Sequence, residues 1–266
     1  MSIDGFAPAG SDAFASFDPV EADRLFGWVD RVATRLGIEV HGLEHLPDGP
    51  AILVVNHAFG WDVVFLMAAI WRRRRRTAWA LGEHLWWRVP FLRRVAAAMG
   101  TVDGTPENLD RLLARGELVV VLPGGLREAV KPRELRYRLL WGARYGFVRA
   151  AIHNGAPLIP VASIGTDELF DFVGNAYRRG ARWLGHGLPL PLPSRILPIP
   201  HLTRVTFLVG QPVSVKSAAG AEDDPETLRR IRHEVAGALH ELIDTELARR
   251  AGVSLDHRSV HEGHTS

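Results

Sequence analysis

The chain of 266 residues contains no cysteine. That excludes disulfides, a thiolate nucleophile and cysteine-ligated zinc. Lysine is almost as scarce, with only Lys131 and Lys216, so nearly all positive charge is arginine, the usage expected of a GC-rich bacterial genome. No apolar run reaches the roughly 20 residues that cross a bilayer. Met1 to Val20 lacks the basic start and apolar centre of a secretory signal. No G-x-x-x-x-G-K-S/T or suitably placed G-x-G-x-x-G occurs, which argues against nucleotide hydrolysis and dinucleotide binding. A serine hydrolase needs a nucleophile elbow, and the nearest stretch, Ser163-Ile164-Gly165, has Val161 where the first glycine belongs. His41 and His45 lack the H-E-x-x-H pattern, and His257, His261 and His264 sit in a polar tail, so no metal site is expected.

What is present suffices for a large core. With 47% hydrophobic residues and a net charge of +2, the chain reads as one α/β domain with small appendages. Ala51–Val55 is a short aliphatic run behind Gly49-Pro50 and fits a buried strand, with an apolar block from Trp61 to Trp71 fitting a buried helix. Thr105-Pro106-Glu107 starts a helix that Gly116 stops, and a strand follows from Leu118 to Leu122. A helix over 142–154 ended by Gly155, strands at 158–162 and 205–209, and a long helix opened by Asp224-Pro225 complete an alternation typical of βαβ units. Leu25, Trp28, Val29, Val32 and Leu36 fall at helical spacing near the N-terminus. The expected division is an N-terminal segment with an amphipathic helix over 1–38, a main domain over 39–252 and a disordered tail over 253–266. Five prolines between 189 and 200 make helix and central strand improbable in 178–201; that segment is either a cover for an apolar tunnel, a lipid contact or an ordinary connection.

Two strand ends carry the chemistry. After Val54-Val55 come Asn56 and His57, and Asp62 follows five residues later, in the first turn of the expected helix. Helical side chains lean toward the N-terminus, so Asp62 would point back at His57, fix its tautomer and stabilise its protonated form. The second strand ends in Leu122-Pro123-Gly124-Gly125-Leu126-Arg127-Glu128, where paired glycines let backbone N–H groups approach a ligand. In α/β sheets, sites form beyond the carboxyl ends of strands. Each segment alone is compatible with a chance histidine or a plain tight turn.

Together these residues resemble the glycerolipid (PlsC-like) acyltransferase family, whose first block is N-H-x-x-x-x-D, intact here as Asn56, His57 and Asp62. The second block, usually F-P-E-G-T-R-S, reads L-P-G-G-L-R-E and is similar to the diacylglycerol acyltransferase and phytyl ester synthase branch. Gly146-Phe147-Val148 and Gly155–Val161, with Pro160, resemble the later blocks, so the likeness extends over roughly residues 40 to 215. It implies a glycerol-phosphate-acyltransferase-like fold, with a mixed, largely parallel central sheet flanked by helices. It also implies His57 and Asp62 as catalytic residues, with Asn56, Pro123, Gly124, Gly125, Arg127, Glu128 and Pro160 around the substrates. The donor would be acyl-CoA, as co-substrate rather than cofactor, or acyl carrier protein, and the acceptor a lipid hydroxyl. The phosphate-acceptor branch carries an arginine where this chain has Met99–Thr105 without one, which favours a neutral acceptor such as a diacylglycerol, a monoacylglycerol or a long-chain alcohol. A lysophospholipid (1-acylglycerol-3-phosphate) acyltransferase and a non-catalytic, membrane-associated lipid-binding protein stay open as alternatives.

Arg72–Arg76, Arg88, Arg93 and Arg94 interleave with Trp71, Trp79, Trp86, Trp87 and Phe91. Such a surface suits an anionic lipid interface, and equally a solvated helix end above core tryptophans. No nucleic-acid motif accompanies the arginines, so nucleic acid is not an expected partner. The simplest placement is cytoplasmic, peripheral on the inner face of the cell membrane.

Overall fold

A computed structural model describes residues 17–56, 63–82, 98–129, 131–168, 172–175, 191–193 and 204–252. Seven strands form the main sheet: β1 (Glu39–His41), β2 (Ala51–Val55), β3 (Ala78–Gly82), β4 (Thr101–Asp103), β5 (Leu118–Val121), β6 (Leu158–Ile164) and β9 (Thr206–Val209), in the spatial order β1-β9-β6-β2-β5-β3-β4. All neighbours run parallel except β6 and β9. β7 (Phe172–Asn175) and β8 (Pro191–Pro193) make a separate antiparallel pair. This is the α/β, mixed and largely parallel sheet that the motif pattern led one to expect.

β2 lies at the centre, with every one of its residues buried. Its side chains alternate between two cores. Ile52 and Val54 face a layer made by α3 (Pro106–Ala114), α5 (Gly146–Asn154) and α6 (Pro225–Arg250); Leu53 and Val55 face a layer made by α1 (Pro19–Arg35) and α2 (Val63–Arg74). Burial on both faces explains why the strand reads as a continuous aliphatic run instead of an alternating one. The short α4 (Leu126–Ala129) lies just past β5.

Helix ends follow their sequence signals. Thr105 Oγ1 accepts the Asn108 N–H at the start of α3, with Pro106 in the first turn. Asp224 caps α6 through the Thr227 N–H, and hydrogen bonding to the Thr227 side chain first, then to that N–H, holds its carboxyl below the usual range. Asp18 caps α1, two residues into the described chain. Phe26 and Val29 of α1 join the same core as Leu66, Met67 and Ile70 of α2, so this amphipathic helix packs on the domain. Burying each such side chain contributes about 1.5–3 kcal/mol. The helix expected over 142–154 begins at Gly146, after turns at 142–145. On α6, Ile243 and Glu246 are buried while Leu242 and Leu247 are half-buried, a rotation of the inward face relative to the expected one. Among the described residues no helix is long and apolar enough to cross a membrane. The expected tail, 253–266, and most of 178–201 lie outside the described residues.

Candidate active site

Parallel strands deliver their carboxyl ends to one edge of the sheet. Val54 pairs with Val121 and Val55 with Val161, so the chain leaves β2 at Asn56 between the Pro123-Gly124-Gly125 turn after β5 and the last residues of β6. His57 and Asp62 lie outside the described residues; Asn56, the residue before His57, is in place at this edge, and Val63, the residue after Asp62, begins α2.

Asn56 is fully buried and engages one residue twice. Its Nδ2 donates to the Ser163 carbonyl at 2.9 Å, and its Oδ1 accepts the Ser163 N–H at 2.7 Å. The side chain therefore acts as an artificial ladder rung that holds β2 to β6 one step past the last strand pair. Pro160 is buried within β6, and its carbonyl accepts the Gly210 N–H at 2.8 Å. Both residues shape the edge from behind.

In the second block the two glycines have different tasks. Gly125 has φ +54°, in the left-handed region where a side chain is strained, and its N–H donates to the Leu122 carbonyl at 3.0 Å to close the turn. Gly124 makes room: a Cβ there would lie 2.0 Å from Cδ of Glu128. Glu128, fully buried, folds back over Gly124, and its Oε1 accepts the Leu140 N–H at 2.5 Å. The family resemblance put Glu128 around the substrates; its described bond ties α4 to the loop before α5. Arg127 is exposed. Pro123 is buried, and its carbonyl accepts a hydrogen bond from Arg144 Nη1 at 2.6 Å.

Beside this turn lies a cavity of about 600 Å³, within the range of small-molecule sites. Leu81, Asp103, Leu122, Pro123, Tyr145 and Phe147 contribute to its walls, so it sits beyond the carboxyl ends of β3, β4 and β5. Gly125, Arg144 and Arg149 also line it. The arginines escaped sequence reasoning; the one available signal was their position around the Gly146-Phe147 block. Arg149 donates to the Glu222 carbonyl and pairs with Asp223 at 3.1 Å. The cavity thus combines apolar side chains with charged ones of both signs.

The arginine run reads differently in three dimensions. Arg73 donates to the Val40 carbonyl, Arg74 to the Leu46 carbonyl, and Arg76 to the carbonyls of Pro47, Gly49 and Gly116 at 2.5, 3.2 and 2.7 Å. Arg72 and Arg75 face Asp23. Asp23 also accepts the Trp71 indole N–H at 3.0 Å, and that bond, with the two arginines, holds its carboxyl below the usual range. Trp79 is buried in the core beside Phe17. Arg73, Arg74 and Arg76 are thus tied to loop-end carbonyls, which suit a planar fork of donors, and Arg72 and Arg75 to Asp23. Trp86, Trp87, Arg88, Phe91, Arg93 and Arg94 lie outside the described residues.

A largely parallel sheet with a ligand-sized crevice at its carboxyl edge, beyond β3, β4 and β5, defines an α/β protein with a single-sided crevice. Residues 37–164 match the acyltransferase family model, and the chain belongs to this PlsC-like acyltransferase family. It is 30% identical over 190 residues to the DGAT1/2-independent enzyme synthesizing storage lipids of Mus musculus, covering 67% of this chain and 57% of that protein. A Mycobacterium tuberculosis protein of uncharacterized function is 30% identical over 229 residues, covering 81% of this chain and 63% of its own length. The chain thus spans about 57–63% of the length of these relatives. The crystal structure of the 1-acyl-sn-glycerophosphate acyltransferase PlsC from Thermotoga maritima superposes with a TM-score of 0.51 over 86% of this chain and 85% of that one, at 18% identity, a likeness of fold.

Proposed function

We propose that this protein transfers a fatty acyl group from acyl-CoA or acyl carrier protein to a neutral lipid hydroxyl at a membrane surface. His57 accepts the proton of the acceptor hydroxyl as its oxygen attacks the thioester carbonyl, and Asp62 orients the imidazole and stabilises its cation. The tetrahedral oxyanion is held by main-chain N–H at the glycine turn. Because the Gly125 N–H is committed to Leu122, the donor in this role is Gly124. Collapse expels the thiolate, which takes the proton back from His57.

The observation that carries the acceptor class is Asp103. The stretch 99–105, where the phosphate-acceptor branch carries an arginine, has none here, and Asp103 from it lines the cavity with Gly104, Pro123 and Gly125. A phosphate entering there meets like charge, whereas an alcohol does not. Of the two arginines that also line the cavity, Arg149 is paired with Asp223, and Arg144 donates to the Pro123 carbonyl. The name of the mouse relative, an enzyme synthesizing storage lipids, supports the same class.

The test is an acceptor panel: purified protein with labelled acyl-CoA, offered diacylglycerol, monoacylglycerol, long-chain alcohol and 1-acylglycerol-3-phosphate in liposomes. Labelled neutral ester is the expected product. Acylation confined to the phosphorylated acceptor would replace this reading with a lysophospholipid acyltransferase. Liposome binding without any product would make the protein a lipid-binding relative.

A further inference from the structure

We propose that Lys131 and Asp167 are positioning residues that lock the two motif-bearing strand ends into one frame, an inference that rests on the acyltransferase reading above. Lys131 is one of only two lysines in the chain, and it is buried. Its Nζ lies 2.8 Å from Oδ2 of Asp167, and both side chains are 2% exposed. Lys131 stands two residues past α4, which carries Arg127 and Glu128; Asp167 stands in the turn Thr166–Glu168 just past β6.

The pair lies amid polar contacts that are linked partly through hydrogen bonds and partly through adjacent backbone. Asp167 Oδ2 also accepts the Tyr137 N–H at 2.6 Å. The Tyr137 hydroxyl donates to Glu168 Oε1 at 2.7 Å and accepts the Gly165 N–H at 2.9 Å. Next to Asp167, Thr166 Oγ1 and Ser163 Oγ are 2.9 Å apart, and Ser163 is the residue that Asn56 grips with both ends of its amide. In the other direction, Glu128 holds Leu140, so the loop from 131 to 140 is fastened by Glu128 at one end and Asp167 at the other. One end of these contacts is therefore the residue before His57, and the other is the helix after the glycine turn.

Stability alone accounts poorly for this arrangement. A buried ion pair gains little over apolar residues of the same volume, because desolvation offsets the attraction. Tyr137 is held at φ +61°, a conformation that non-glycine residues keep only where the surroundings over-determine it. Strain and a buried charge pair, both beside the strand ends that carry the motifs, are what a fixed reaction geometry requires. The compact ammonium also explains the choice of lysine in an arginine-rich chain, since a planar guanidinium needs a wider fork of acceptors.

Two variants test this. Asp167→Asn keeps the shape and the acceptor for Tyr137 while removing the charge, and Lys131→Met/Asp167→Leu replaces the pair with apolar volume. Each is measured by circular dichroism, by acyl-transfer kinetics and by amide hydrogen exchange of the segments 51–56 and 126–129. The expected result is a folded protein whose kcat falls about 10-fold or more while KM for acyl-CoA stays within about twofold, with faster exchange in both segments. Folded variants with unchanged kcat and exchange altered only near residues 131 and 167 would overturn the proposal. Should the double variant fail to fold, Asp167→Asn decides alone; if it too is unfolded, the pair is a stability element and the proposal falls. If wild-type protein transfers no acyl group yet both distant segments loosen, the coupling stands and the acyltransferase reading fails.

Discussion

Asn56 and Ser163, 107 residues apart in sequence, are joined by two hydrogen bonds that extend the β2–β6 pairing one residue past its last strand contact. The amide does what a strand neighbour would do, at the position immediately before His57.

Replacing that amide should be costly. Asn56→Ala leaves a buried N–H and a buried carbonyl of Ser163 without it, and the expected loss is about 2–4 kcal/mol in urea unfolding. Asn56→Asp keeps the acceptor, loses the donor and buries a charge, so it should be no better than alanine. A loss under about 0.5 kcal/mol for either would mean that the rung is dispensable.

Gly124 is tied to Glu128 by space. Gly124→Ala places a methyl within the carboxyl group of Glu128, so Glu128 must leave Leu140, and the expected cost is about 1–3 kcal/mol. In a Glu128→Ala background the same methyl meets no carboxylate. A double-mutant cycle should therefore show strong non-additivity, and simple additivity would show that the two residues do not collide.

Arg76 should matter more than its neighbours in the arginine run. It donates to three loop carbonyls, and Arg76→Ala should cost about 2–3 kcal/mol, with lysine a poor substitute for the fork. Arg75 is exposed and, among the described residues, pairs with half-buried Asp23, so Arg75→Ala should change stability by less than about 1 kcal/mol. Thermal unfolding of the two variants side by side makes the comparison.

Glu246 supplies a pH signature. It is buried on α6 and grips Arg249 at 2.7 Å and Arg250 at 2.9 Å, and these bonds push its carboxyl from 4.5 down to about 2. A lowered folded-state value stabilises above the unfolded value and is lost as pH falls through the folded one. Glu246→Gln should therefore be less stable than wild type at pH 7, and the gap should close between about pH 4.5 and pH 2. A gap independent of pH in that window would assign the effect to packing.

The parts of this fold legible in the sequence are those with local punctuation. β2 was marked by its aliphatic run behind Gly49-Pro50, and α3 and α6 by Thr105-Pro106 and Asp224-Pro225, which cap and start a helix without help from elsewhere. β3, Ala78–Gly82, has no such frame: alanine, tryptophan and glycine follow directly on an arginine run, and only pairing with β5 and β4 makes them a strand. At the site, the motif blocks stood out because their residues are close in sequence. The task of Glu128 did not, since it depends on a side chain folding back over Gly124 to reach Leu140. Lys131 and Asp167 are 36 positions apart, and nothing local in either segment announces the other. The arginine run allowed two readings for a related reason: charge composition is local, whereas the carbonyls that hold Arg73, Arg74 and Arg76 come from distant loops.

The measurement closest to the central claim is turnover of labelled acyl-CoA with a neutral acceptor by wild type and by His57→Ala, both verified as folded. General-base catalysis predicts measurable ester formation by wild type and a fall of about 10²–10⁴-fold in kcat for the variant. Undiminished turnover by His57→Ala would contradict the account at its chemical step.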